Sequence, residues 1–429
     1  MLRTVEWSAS KPQSKIVTKF LERSAFPEEA EKAASVVLAA IRKDGDAAVA
    51  RYVAKFEGAK LTPKAFRVSE ADLSAAEDQV EPKIKQAVQD AYRRVLRFSK
   101  ASLRKSWEIK TTKGGTEGEF FTPMDRVGVY VPGGTAPLAS TSVMTVTLAA
   151  AAGVKEIVAC TPAGPTGTPN PVLLYALKLA GATEIYRVGG IQAIGLMAFG
   201  TKTVRKVQKI VGPGNAFVTA AKRQVFGYVG IDQVAGPSEI AVLADGTVNP
   251  AWVAADLLSQ AEHGSDSQVM LVCSSSDFAA KVEAEVAAQS AQLDRIAFVE
   301  GALSKSRIIV MESQEDQIEF ANTYAPEHLI VSTSDPWSIV DRITASGSVF
   351  VGSFTPESAG DYASGTNHTL PTCGWARSFS GVNIDSYMRK MTIQEISREG
   401  LEGLAQTIVT MAEAEGLSAH ANAVKVRIK

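Results

Sequence analysis

Apolar residues recur at helical spacing through PEEAEKAASVVLAAIRKDGDAAVARYVAKFE (27–57). The stretch reads as two amphipathic helices broken at Gly45. Another long helix is expected from Lys83 to about Lys105. The texture then changes. RVGVYV (126–131) is a short β-branched run, followed by the turn PGGTAP, an Ala-rich stretch at 139–153 and KEIVAC (155–160). Strand, loop, helix and strand in that order are the signature of a parallel α/β sheet. ATEIYRV, a helix near 191–199 and VQKIVG continue it. A second unit of the same kind starts at Glu239. EIAVLAD (239–245) reads as a strand, and Asn249-Pro250 as an N-cap followed by a first-turn proline. AWVAADLLSQAEH is then the helix, Gly264 its stop, and QVMLVCS (268–274) the next strand. SRIIVM and HLIVST read as further strands, and from about Gln394 the pattern is helical to the end. The Gly/Pro-rich segments 132–137, 161–169, 212–215 and 236–237 fall at strand ends, where open α/β sheets form their sites.

A chain of 429 residues exceeds one core and predicts several domains. Charges of both signs are interspersed and the formal net charge is -1, which argues against a nucleic-acid or membrane-surface partner. The first residues lack the apolar run of a signal peptide, and the most apolar stretch, VMTVTLAAAAGV (143–154), is too short to span a bilayer. Cys160, Cys273 and Cys373 are far apart and form no CxxC pair. A cytoplasmic protein is expected.

The four histidines, His263, His328, His368 and His420, each stand near a polar or acidic residue. A lone histidine in such a setting is more often a surface or helix-capping group than a ligand. In LLSQAEHG, Gln260 and His263 share one helical face, where an amide oxygen and an imidazole can be two ligands of a metal such as zinc. The alternative is a pair that merely closes the helix end. PEHLI places Glu327 beside His328 just before a strand, which suits an acid/base pair. Asp361 and His368 share a Gly/Ser-rich loop too long for a simple turn, and Glu415 and His420 lie near the C-terminus. There is no GxGxxG. VYVPGGTAP, VGGIQAIG and VGPGNAFV could admit a phosphate at a helix N-terminus, but as a dinucleotide signature their spacing is weak.

Taken together and in order, VGVYVPGGTAPL, KIVGPGNAFVTAAKRQV, AGPSEI, DLLSQAEHGSDSQV, APEHLI, GSFTPESAGDYASGTNHTLPT and the tail EGLSAHANAVKVR resemble the histidinol dehydrogenase family over nearly the whole chain. Ser265 stands where many members carry proline, and Cys373-Gly-Trp lies in a divergent stretch. The resemblance implies an α/β fold of two degenerate Rossmann-like parallel-sheet domains with small helical segments at both termini. The division expected is an N-terminal segment 1–26, a domain of 27–129 with 239–381 carrying zinc and catalytic residues, an NAD-side domain 130–238, and a helical tail 382–429 that docks on the partner of a homodimer. It also implies zinc, one ion per subunit, held by Gln260, His263, Asp361 and His420. His328 would be the base for the alcohol step and Glu327 would activate water for the aldehyde step. Ser238, His368 and Glu415 would contact L-histidinol along with the zinc ligands and His328. Tyr130, Gln192 and Asn215 would contact NAD.

Aldehyde oxidation can run through a cysteine thiohemiacetal, but none of the three cysteines has a base beside it in the sequence. Three other readings compete. A relative could oxidise a different polar alcohol, which Glu415 and His368 standing in place argue against. A binding protein without catalysis would be free to lose Glu327 or His328. A metallohydrolase would leave the nucleotide-side motifs unexplained.

Overall fold

The structure, a computed structural model, describes residues 2–8, 15–23, 26–133 and 137–429. Two parallel sheets organise the chain, as expected. The five-stranded sheet runs Glu184–Arg187, Glu156–Thr161, Arg126–Tyr130, Lys209–Val211, Gly230–Ile231 across its width. The six-stranded sheet runs Arg3–Glu6, Arg307–Val310, Gln268–Cys273, Glu239–Ala244, His328–Ser332, Ser348–Val351. In both, the first strand of the unit is central, the second and third step to one side, and the fourth and fifth to the other. The matching order makes the two units topological copies. Helices cover both faces, so the central strands Arg126–Tyr130 and Glu239–Ala244 are buried at every position, which is why they read as unbroken apolar runs rather than alternating ones. No helix among the described residues is long and apolar enough to cross a membrane.

The structure differs from expectation in three places. First, residues 28–57 do not join the 239–351 unit. Ala30, Ala34, Val37, Leu38 and Ile41 share a core with Ile191, Ile194 and Val218 on the five-stranded sheet. Gln224 Nε2 donates to the Glu31 carboxylate at 2.9 Å, fixing the helix there. Helix Pro82–Ala101 packs on the opposite face of the same sheet, with Val95 in its core. The first unit is therefore built from the helices preceding its strands. Second, the N-terminal segment supplies an edge strand, Arg3–Glu6, to the far sheet. Third, the tail is not helical throughout. Met388–Ile396 is a nine-residue strand, paired antiparallel with Gly115–Pro123, which in turn pairs with Trp107–Thr112. Helix Arg398–Ala414 starts only after Ser397, whose hydroxyl accepts the Gly400 N–H. Met388–Ile396 is largely exposed, so no buried face imposed the alternation that marks a strand. Of the PGGTAP turn, residues 134–136 lie outside the described residues.

Candidate active site

The carboxyl ends of the five-stranded sheet face the amino ends of the six-stranded one. Three bonds stitch the two ends together. His368 Nε2 lies 3.0 Å from Thr141 Oγ1, Asn367 Nδ2 donates to the Met144 carbonyl at 2.7 Å, and the Gly236 N–H donates to Thr372 Oγ1 at 2.5 Å.

Chain direction explains what reaches this junction. A crossover helix runs antiparallel to its strands, so helix Pro250–Ala261, started by the Asn249 cap, returns to the amino end of the sheet. It delivers Gln260 in its last turn and His263 just beyond. Helix Gln314–Tyr324 stops at Ala325, which adopts a left-handed conformation, and the chain enters the next strand through Glu327 and His328. The backbone on either side leaves no slack there. The Ser348 N–H donates to the Glu327 carbonyl at 2.9 Å, and a Cβ on Gly347 would stand 2.5 Å from that oxygen. Helix Glu357–Tyr362 adds Glu357 and Asp361, four positions apart and hence on one face.

The side chains converge. Glu327 Oε2 accepts the Glu239 N–H at 2.8 Å and lies 3.5 Å from Gln260 Nε2. His328 Nδ1 lies 3.2 Å from the Glu239 carbonyl, which can only accept, so Nδ1 carries the proton and Nε2 bears a lone pair. That Nε2 lies 3.7 Å from Asp361 Oδ1 and 3.9 Å from Glu357 Oε1. His368 Nδ1 is 3.6 Å from Asp361 Oδ1. Potential ligand atoms of His263, Glu357 and Asp361 lie within 4.8 Å of one another. Four buried acceptors, Gln260 Oε1, His328 Nε2, Glu357 Oε1 and Asp361 Oδ1, have no hydrogen-bond partner. Buried polar atoms are ordinarily satisfied, so the unsatisfied oxygens of Glu357 and Asp361, grouped with His263 and beside His328 Nε2, fit a cation.

Electrostatics follow from the crowding. Burial pushes the Glu327 carboxyl well above its ordinary range, with nearby acids adding to the effect. Burial lowers the His328 imidazole to about 4, so it rests neutral. Glu357 rises to about 9 through burial and the adjacent Asp361. Burial also works to raise Asp361, but His368, whose Nδ1 stands 3.6 Å from Oδ1, and His328 beyond it hold this carboxyl low.

On the other side of the junction, Tyr130 ends the central strand and its hydroxyl accepts the Gly190 N–H at 3.2 Å. Gln192 lies buried in the first turn of helix Gly190–Phe199. Asn215 caps helix Ala216–Val225, its side chain accepting the Phe217 and Val218 N–H groups. All three occupy the carboxyl end of one sheet. Ser238 directly precedes strand Glu239–Ala244 at the junction. Glu415 and His420 are exposed on the tail, and the chain by itself does not bring them into the cluster. Sequence reasoning missed Glu357, although its spacing from Asp361 was visible. Burial raises the thiols, Cys273 to about 11, Cys373 to about 12 and Cys160 higher still, which disfavours the thiolate in each.

Topology and site together define a doubly wound α/β enzyme with acid, imidazole and amide groups gathered between two sheets. The chain belongs to the histidinol dehydrogenase family, whose model matches residues 22–428. It is 45% identical over 437 residues to a histidinol dehydrogenase of Vibrio parahaemolyticus, covering 100% of this chain and 99% of that one. It is 47% identical over 390 residues to one of Bacteroides fragilis, covering 91% of each. The crystal structure of histidinol dehydrogenase from Elizabethkingia anophelis superimposes with a TM-score of 0.95 at 43% identity, covering 100% of this chain and 98% of that one. Membership makes the chain an oxidoreductase of histidine biosynthesis.

Proposed function

We propose that the chain oxidises L-histidinol through L-histidinaldehyde to L-histidine in two NAD-linked steps, with one zinc ion per subunit. The observation that carries this reading is the set of four unpaired buried acceptors beside Glu327. Gln260, His263 and Asp361 would hold the metal, with His420 of a second subunit completing the set. Zinc bound there would anchor the amine and imidazole nitrogens of the substrate, and its charge would favour the ionised form of Glu327. NAD, bound against Tyr130, Gln192 and Asn215, would accept hydride.

The residues divide the proton work. In the first step, His328 Nε2 takes the hydroxyl proton as hydride leaves the carbinol carbon, giving the aldehyde. The neutral resting imidazole can accept that proton, and Asp361 Oδ1 at 3.7 Å stabilises the imidazolium. In the second step, Glu327 takes a proton from water as its oxygen adds to the aldehyde carbon. A second hydride then leaves the hydrate, giving the acid. Ser238, His368 and Glu415 would contact the substrate. His368 is already oriented by Thr141.

The tail supports a homodimer. Met411 and Val426 on its helices and Leu417 between them are exposed, and apolar residues of this kind fit a surface covered by a partner. Three free thiols fit a reducing compartment, the cytoplasm. The test is stoichiometric. With excess NAD, two NADH should form per histidinol consumed, with histidine as product. A ratio of one, or accumulating aldehyde, would overturn the two-step reading.

A further inference from the structure

The chemistry described above does not use Glu57, yet this residue stands at the cofactor end of the five-stranded sheet. It is the last residue of helix Asp46–Glu57. Its Oε2 accepts the Ala163 N–H at 2.7 Å, and its Oε1 accepts the Gly189 N–H at 2.9 Å and Gln192 Nε2 at 2.8 Å. Ala163 lies just past strand Glu156–Thr161, the second of the unit, and Gly189 just past Glu184–Arg187, the third. A Cβ on Gly189 would meet Pro162 at 2.6 Å, so the two loops close directly on each other around the carboxylate. Burial outweighs the three N–H donors and raises this carboxyl above its ordinary value. The hydrogen bonds it accepts all come from amides, and the residue is only half-buried.

Dinucleotide-binding folds carry an acidic residue near the end of the second strand, where it accepts the ribose 2′-hydroxyl and disfavours a 2′-phosphate. Here that strand runs out into Thr161-Pro162-Ala163, with no acid of its own. Glu57 reaches the same position from a helix outside the sheet. It also fixes its neighbour. A carboxylate only accepts, so Gln192 must turn Nε2 toward it. Gln192 Oε1 is left buried without a partner, a second acceptor beside the first.

We propose that Glu57 is the specificity-determining carboxylate of the cofactor pocket, accepting a ribose hydroxyl of NAD and repelling the 2′-phosphate of NADP. The inference rests on the reading that NAD is the oxidant. Steady-state kinetics with NAD and with NADP test it on the wild type and on Glu57→Gln. The wild type should prefer NAD. The variant should raise KM for NAD roughly ten- to a hundredfold, the worth of a hydrogen bond to a charged group. Its preference for NAD over NADP should shrink by a similar factor, while KM for histidinol stays within about twofold. A wild type that does not reduce NAD would defeat the underlying reading of the oxidant. A wild type that uses NAD without preference, a variant whose preference is unchanged, or one in which every parameter worsens together would defeat the assignment of Glu57 alone. Should Glu57→Gln fail to fold, Glu57→Asp keeps the charge and must keep the preference while raising KM for NAD; a lost preference there overturns the proposal.

Discussion

The most decisive perturbation separates two chains that each carry one lesion. His263 lies at the junction of the two sheets, while His420 stands exposed on the terminal helix Ser418–Ile428. The tail is rooted in its own chain, because Met388–Ile396 pairs with Gly115–Pro123 along its whole length. Only the helices beyond Ser397 are left to reach a neighbour. If they cross, one complete site takes His263 from one subunit and His420 from the other. His263→Ala and His420→Ala chains are then each inactive alone. In a mixed dimer, one site carries both lesions and the other carries none.

The size of the recovery can be worked out. Random reassortment of equal amounts makes about half of the dimers mixed, and each of those has one intact site of two. About a quarter of the wild-type activity per site should return. The two chains would be unfolded together, refolded with zinc and assayed with L-histidinol and NAD. Distinct affinity tags would show that mixed dimers formed. If each site is built within one chain, every site keeps a lesion and no activity returns. Inactive mixed dimers would therefore refute the exchange and return His420 to its own chain's site.

The remaining expectations concern the same junction and the fold around it. Glu327→Gln should slow aldehyde oxidation by roughly 10²–10⁴-fold, the usual worth of a general base, and alcohol oxidation much less; rapid-quench analysis of aldehyde and histidine checks it, and an equal loss in both steps would refute the role given to Glu327. Chelation should abolish activity and added zinc restore it, and Asp361→Ala should lose zinc in metal analysis while keeping a wild-type circular dichroism spectrum. Glu184 is held down at about 2, chiefly by its hydrogen bond from Arg126. Its folded value lies below its unfolded one, so its stabilisation is present above the ordinary carboxylate range and lost as pH falls from there toward 2. Denaturant melts across that window should show a loss of about 1–2 kcal/mol, allowing for solvent screening, and Glu184→Gln should flatten it.

How much of this was legible in the sequence varies with the physics of each element. The central strands were plain because both of their faces are buried, and an unbroken apolar run bounded by Gly and Pro has few other readings. Met388–Ile396 escaped because its pairing leaves most of its side chains in solvent, so no alternation was imposed on it. The grouping of 27–129 with the second sheet failed because an amphipathic stripe says that a helix packs, not on what. Only the contact of Ile41 and Leu38 with the core of the five-stranded sheet settles that. At the site, Gln260 and His263 were visible as a helical pair and Glu327 and His328 as neighbours. Glu357 was not, since a glutamate at the start of a short helix reads as a solvated first-turn charge.

The location of the site follows from one consequence of the doubled topology. The general rule places ligands at the carboxyl ends of parallel strands, and Tyr130, Gln192 and Asn215 obey it. Glu327, His328 and Glu239 stand at the amino ends of theirs. The exception arises because the chain leaves the first sheet after Gly230–Ile231 and starts the second at Glu239 within a few residues. The carboxyl ends of one sheet therefore face the amino ends of the next. Crossover helices return to the amino end, so Gln260 in the last turn and His263 two residues past the helix are carried there with no long loop. The strand starts are fixed by hydrogen bonds to one another, as the Glu239 N–H and carbonyl holding Glu327 and His328 show. Glu327, His328 and Gln260 thus rest on strand starts and a helix end, whereas the Gly-rich segments stand at the carboxyl ends of the other sheet.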